Sequence, residues 1–159
     1  MDAAPPLASV TGQLLAAADL LEALGENPHR VHAYRRGADT LETHAPDFSR
    51  RYRDGTLTDL PGIGREMAAK VEQIARDGQL ATIDELNARV PAAADSLTAV
   101  PGVERKLAIY LAARLHVNSV AHLKQLAQTR MLRTIPWLGE DGERRVLAGL
   151  SEWTGNGEG

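Results

Sequence analysis

Three short segments carry the residue types from which a phosphate-binding turn is built: Leu60-Pro61-Gly62-Ile63-Gly64, Val100-Pro101-Gly102-Val103-Glu104 and Ile135-Pro136-Trp137-Leu138-Gly139. Proline breaks a preceding helix and fixes the direction of the chain. The glycines accept unusual backbone angles and leave no side chain between the main chain and an approaching phosphate. A helix starting just after such a turn points its unpaired amides, at the positive end of its dipole, towards that phosphate. Apolar residues at helical spacing follow each segment: Met67, Val71 and Ile74; Leu107, Tyr110 and Leu111; Val146 and Leu150. The first copy is intact, and Arg65 follows it as a phosphate partner. In the second, Glu104 stands where the second glycine belongs and brings a negative charge. In the third, Trp137 replaces the first glycine, where its bulk blocks close approach of the backbone. Pro-Gly is also an ordinary turn between helices, and that reading gains weight from the first copy to the third.

The flanking sequence supplies helices to hold these turns. Val10, Leu14, Leu15, Ala18 and Leu21 recur at helical spacing, with Gly25 as the stop. Asn27-Pro28 is an N-cap followed by a first-turn proline, opening a helix with Val31, Tyr34, Ala38 and Leu41 on one face and ending near Ala45-Pro46. A shorter segment holds Phe48 and Tyr52 and runs to Gly55. Leu80, Ile83, Leu86 and Val90 make an amphipathic stretch between Gly78 and Pro91, and Ser119 caps a helix bearing Val120, Leu123 and Leu126. A last helix runs from about 140 to 153. No alternating strand pattern is present, so the expected fold is all-α, with tandem helix-hairpin-helix units. One unit is expected over 9–88 and a second, holding the other two hairpins, over 92–153, with 154–159 a disordered polar tail. The irregular interval between the three segments argues against a solenoid.

Bulk properties narrow the function. The 159 residues contain 43% apolar side chains and no cysteine, which excludes disulfides, thiol catalysis and zinc-finger ligands. No apolar run reaches the roughly 18 residues that span a membrane, and Asp2 with Pro5-Pro6 interrupts any signal-peptide pattern. The net charge of −3 runs against DNA binding by bulk electrostatics. Binding must then come from backbone amides and a few arginines on one face. Residues 29–53, with Arg30, Arg35, Arg36, Arg50, Arg51 and Arg53, are the most basic stretch. His29 and His32 lie a turn apart, but no carboxylate partner for a metal is evident. Trp137 and Trp153 suit packing between C-terminal helices, with base stacking by Trp137 as the alternative.

The order of these features resembles the N-terminal part of the X-family DNA polymerases, the family of DNA polymerase beta and the bacterial PolX enzymes. The residues that carry the resemblance are Gly25-Glu26-Asn27-Pro28-His29-Arg30-Val31-His32-Ala33-Tyr34-Arg35-Arg36, the hairpin and helix from Leu60 to Val71, and the Val100 hairpin. The resemblance implies a polymerase-beta N-terminal-like fold that holds DNA at gaps. It also implies a 5'-phosphate pocket lined by His29, Arg30 and Tyr34, with Lys70 at the position of a lyase nucleophile that attacks abasic sugar. Thr58 and Glu66 stand where beta-type lyases carry lysines, which removes charge from that pocket. By the same resemblance, a monovalent cation, Na+ or K+, sits on the carbonyls of Thr58, Leu60 and Ile63, and a second on those of Thr98, Val100 and Val103. No polymerase palm follows the hairpins in this sequence, so no polymerisation is expected.

The expected DNA contacts are Arg30, Tyr34, Arg35, Gly62, Ile63, Gly64, Arg65 and Lys70 in the first unit, and Gly102, Val103, Arg105 and Lys106 in the second. The leading expectation is a non-enzymatic module that recognises DNA backbone at gaps, nicks or ends in repair or replication, without reading sequence. The alternatives are a Schiff-base lyase using Lys70 and a protein adaptor with degenerate hairpins. DNA is the expected partner, with a separate polymerase, nuclease or ligase beside it, no membrane, no required cofactor, and a cytoplasmic setting.

Overall fold

A computed structural model describes residues 3–153, so the expected C-terminal tail lies outside the described residues. These residues form helices, turns and loops, with no strand among them. The chain divides into two compact units, Met1–Arg89 and Val90–Gly159.

In the first unit, α1 (Leu7–Ala23) lays Val10, Leu14, Ala17, Ala18 and Leu21 into the core, all with no exposure. Its end is a reciprocal cap: Glu26 N–H donates to Leu21 and Gly25 N–H to Glu22, with Gly25 left-handed at φ 77°. The sequence places the start of this helix near Val10, and the structure begins it a turn earlier, directly after the two prolines. Next, α2 (Pro28–Thr43) starts as the Asn27-Pro28 pair dictates, the Asn27 side chain accepting from His29 N–H at 2.8 Å. A 3₁₀ turn (Ala45–Asp47), α3 (Phe48–Asp54) and a second 3₁₀ turn (Leu57–Asp59) lead to the first hairpin, followed by α4 (Arg65–Asp77) and α5 (Ala81–Asn87).

Polar side chains fix how these helices join. Gln13 on α1 donates to Gly78 O at 2.7 Å and accepts from Leu80 N–H at 2.8 Å, satisfying the backbone of the α4–α5 link. Tyr34 is 2% exposed, and its hydroxyl reaches Thr82 on α5 at 3.4 Å. Each buried leucine of this core contributes about 1.5–3 kcal/mol.

The second unit runs α6 (Ala93–Leu97), the second hairpin, α7 (Arg105–Arg114), α8 (Val120–Gln128), a 3₁₀ turn (Met131–Thr134) and α9 (Gly139–Glu152). Ser119 caps α8, accepting from His122 N–H at 3.1 Å. The buried face of α7 is wider than its spacing suggests, because Ile109, 1% exposed, joins Leu107 and Leu111 inside while Tyr110 stays half-buried. Glu143, 2% exposed on α9, pairs with Arg133 of the 3₁₀ turn at 2.9 Å and holds the third turn against the helix that follows it.

Candidate nucleic-acid interface

The first hairpin is a tight turn in which Ile63 N–H donates to Leu60 O at 3.1 Å. Gly62 occupies the left-handed position at φ 83°, which a side chain would strain. Leu60 and Ile63, 4% and 2% exposed, pin the turn to the core. Gly64 then leads into α4 in extended conformation, φ −87° and ψ −173°, and no side chain caps the helix. The fold does not require glycine there: its angles suit any residue, and an added Cβ would meet nothing within 4 Å. What the missing side chain leaves clear is the approach to the first amides of α4, where an anion is favoured.

Helix α2 crosses this hairpin and braces it. Thr40 Oγ1 donates to Pro61 O at 2.9 Å. A Cβ on Gly37 would stand 3.1–3.2 Å from the Met67 side chain, so the small residue lets α4 pack closely. The Arg36 side chain lies over the turn, its Nε 2.9 Å from where a Gly62 Cβ would be.

Beside the hairpin is an open cleft of about 460 Å³ lined by Arg30, Ala33, Tyr34, Gly62, Gly64, Arg65, Glu66, Met67 and Lys70. The Lys70 ammonium sits 5.5 Å from the centre of the Tyr34 ring, a cation–π distance that keeps it within the cleft. Among the described residues, Arg30, Arg36, Arg65 and Lys70 form no ion pair. Other arginines of the unit are engaged: Arg50 with Asp47 at 3.2 Å, Arg76 with Asp77 at 3.2 Å and Arg89 with Glu26 at 2.8 Å. Four of the cations without an ion pair therefore gather where the helix amides are open, while Arg53, also without one, lines a separate depression.

The structure redistributes the expected site residues. Arg30, Tyr34, Gly62, Gly64, Arg65 and Lys70 come together in the cleft, and Glu66 joins them. Tyr34 contributes a buried ring rather than an exposed phenol. Arg35 is not in this group. It reaches back to α1, 3.0 Å from Asp19 and 2.8 Å from Glu22, and the hydrogen bond with Glu22 raises its pKa above the ordinary value. Adjacent helix positions point about 100° apart, so only one of two neighbouring arginines can face the hairpin, and it is Arg36. Thr58 does not line this cleft; it lines a separate depression with Tyr52, Arg53 and Glu72.

The second hairpin repeats the first. Val103 N–H donates to Val100 O at 3.0 Å, Gly102 has φ 90°, and Glu104 is extended at φ −79° and ψ 164°. Glu104 thus adopts the backbone of Gly64 and adds a carboxylate at the approach. Arg105 lies 3.7 Å from Asp95, and the Lys106 ammonium 4.3 Å from the Trp137 ring centre. Trp137 packs edge-on to Tyr110 with centroids 5.8 Å apart, a packing role.

The third segment departs from this geometry. Leu138 N–H still donates to Ile135 O at 3.0 Å, but Leu138 is helical at φ −95° and ψ −54° and α9 begins at once with Gly139. Gly139, which stands where Gly64 and Glu104 are extended, is left-handed at φ 65°, and Trp137, which stands where Gly62 and Gly102 are left-handed, is not. The third expected hairpin is therefore an ordinary turn entering a helix.

The cation set implied by the resemblance can be tested against the backbone. In the first hairpin no backbone amide among the described residues donates to the carbonyls of Thr58 or Ile63, and Leu60 O accepts the turn bond alone. The second repeats this pattern at Thr98, Val103 and Val100. Three under-used carbonyls suit a hard cation, so the residues fit the group. Clusters of three or more acidic, histidine or cysteine groups suited to a metal are absent among the described residues, as are helices long and apolar enough to cross a membrane.

Residues 5–80, which hold the braced first hairpin, match the helix-hairpin-helix domain family. This segment has the helix-hairpin-helix fold. Over 132 residues, 83% of the chain, the sequence is 26% identical to the DNA polymerase/3'-5' exonuclease PolX of Bacillus subtilis (strain 168). The chain spans 23% of the length of that relative. The resemblance to the N-terminal helix-hairpin-helix region of PolX-like proteins therefore holds over most of the sequence, and the all-α helix-hairpin-helix fold agrees with it.

Proposed function

We propose that this chain binds the phosphate backbone of DNA without reading base sequence, at gaps, nicks or ends, in repair or replication. The observation that carries the reading is the gathering of Arg30, Arg36, Arg65 and Lys70, unpaired among the described residues, around open α4 amides in a chain of net charge −3. Local geometry then does what bulk charge cannot. A phosphate oxygen accepts from the amides beyond Gly64, the arginines neutralise it, and the carbonyls of Thr58, Leu60 and Ile63 would hold a monovalent cation that supplies further positive charge beside it. The groups gathered at the first hairpin are main-chain amides and cations, which suit phosphates rather than base edges and so support backbone recognition. The relative's name, a DNA polymerase and exonuclease, accords with DNA as the partner.

The test is a titration of the full chain against single-stranded, nicked, gapped and blunt duplex DNA over a range of salt. The affinity should fall with salt by about 0.9 in log–log slope for each phosphate neutralised, with gapped or nicked DNA bound best. Binding that is absent at low salt, or independent of salt, would overturn the reading in favour of a protein-docking adaptor. A second reading, a lyase acting through Lys70, draws on the placement of that amine over Tyr34 inside the cleft. Glu66 lining the same cleft weighs against a strong grip on a 5'-phosphate.

A further inference from the structure

The helix laid across each of the two hairpins carries the same short pattern. In α2 it is Arg35-Arg36-Gly37-Ala38-Asp39-Thr40, and in α9 it is Arg144-Arg145-Val146-Leu147-Ala148-Gly149. The first arginine of each pair is tied to a carboxylate: Arg35 to Asp19 and Glu22, Arg144 to Asp141. The second forms no ion pair among the described residues and lies against the hairpin glycine. For Arg36 the contact is its side chain, 2.9–3.3 Å from a Cβ built on Gly62; for Arg145 it is the carbonyl oxygen, 2.7 Å from a Cβ built on Gly102. The next residue, Gly37 or Val146, is buried. The residue four past that arginine meets the proline carbonyl: Thr40 by a 2.9 Å hydrogen bond, and Gly149 by lacking a side chain, so that Pro101 O presses onto the helix. Helix α2 precedes its hairpin in the chain and α9 follows its own, so the likeness is of spatial arrangement rather than of sequence order.

We propose that Arg145 is the phosphate-contacting cation of the second hairpin, as Arg36 is of the first. The second hairpin needs such a group. Glu104 puts a negative charge at its approach, Arg105 lies near Asp95, and Lys106 is held on the Trp137 ring as Lys70 is on that of Tyr34. Arg145 is exposed and springs from the backbone point that touches Gly102. The second hairpin thus takes a DNA phosphodiester with charge borrowed from α9. This inference depends on the DNA-binding reading above and adds a residue to it.

The experiment measures binding of the full chain to a nicked duplex by fluorescence anisotropy across salt concentrations, for the wild type, R145Q, R145K and R144Q. R145Q should lose about 0.9 in log–log slope and roughly fivefold in affinity at low salt. R145K should keep the slope, and R144Q should match the wild type although it removes the same charge one residue away. A wild-type slope in R145Q, or an equal loss in R144Q, would overturn the role of Arg145 and leave DNA binding standing. Absence of salt-dependent binding by the wild type would overturn the DNA-binding reading and this inference with it. Arg145 is exposed, so R145Q should unfold at the wild-type temperature. Should R145Q melt early, R145K decides the matter: a retained slope supports the role of Arg145, and a lost slope overturns it.

Discussion

The hydroxyl of Thr40 donates to the carbonyl of Pro61 across 2.9 Å, fastening the middle of α2 to the tip of the first hairpin. Thr40 is only 9% exposed, so the donor is largely shielded from water although Pro61 itself is exposed. Thr40→Val keeps the shape and removes the donor. It should cost about 1–2 kcal/mol in denaturant unfolding. Because the same helix holds Arg36 over the turn, DNA affinity should fall as well. Unchanged unfolding would show that the bond does not brace the hairpin.

Gly64 and Gly139 should respond to glutamate in opposite ways. Gly64 has ordinary extended angles and open space around it, so Gly64→Glu should fold normally and lose DNA affinity by about tenfold or more, through repulsion and a blocked approach. Gly139 is left-handed at φ 65°, so Gly139→Glu should cost about 1–2 kcal/mol of stability and leave affinity nearly intact. Melting and anisotropy on the same two samples separate them. Equal losses of affinity would erase the difference drawn between the first hairpin and the third turn.

Arg36→Gln should flatten the salt dependence of DNA binding by about 0.9 in log–log slope. Arg35→Gln should leave the slope alone and lower stability by less than about 1 kcal/mol, since its pairs with Asp19 and Glu22 are partly exposed. If Arg35 rather than Arg36 controls the slope, the hairpin is bound from the α1 side of α2.

The chain contains three lysines, Lys70, Lys106 and Lys124, so a Schiff base has few owners. Borohydride reduction in the presence of an abasic duplex should trap little or no protein, and Lys70→Ala should leave most DNA binding in place. Efficient trapping that vanishes in Lys70→Ala would establish the lyase reading over the binding module. Trapping that survives the substitution would assign the amine elsewhere.

The first two hairpins and their order are legible in the sequence because proline and glycine punctuate backbone directly. The same clarity reaches Asn27-Pro28 and Ser119, whose capping atoms fall where their types demand. The arginines are harder. Sequence spacing puts Arg35 and Arg36 in one basic stretch, and only the packing of α1 on α2 decides which of them is tied down and which faces the turn. Residues 93–97 form a helix too short to show a period, so α6 leaves no signal between Pro91 and Pro101. Arg145 stands 43 residues from Gly102 in a helix whose pattern displays only its apolar face, and nothing local to it points to a hairpin. The third segment looks like a hairpin because its proline and last glycine are in register; the distinction shows at Trp137, which replaces the left-handed glycine of the other two turns, so that the left-handed residue is Gly139 instead.

Glu104 and Gly64 hold nearly the same backbone angles, and neither is asked by the fold to be what it is. Grip and folding are therefore separable at this one position of the turn. Moving from glycine through serine to glutamate would grade how long a phosphate dwells on the hairpin while the melting temperature stays where it is. For a hairpin that binds DNA, that residue would then set the off-rate while the fold around it stays the same.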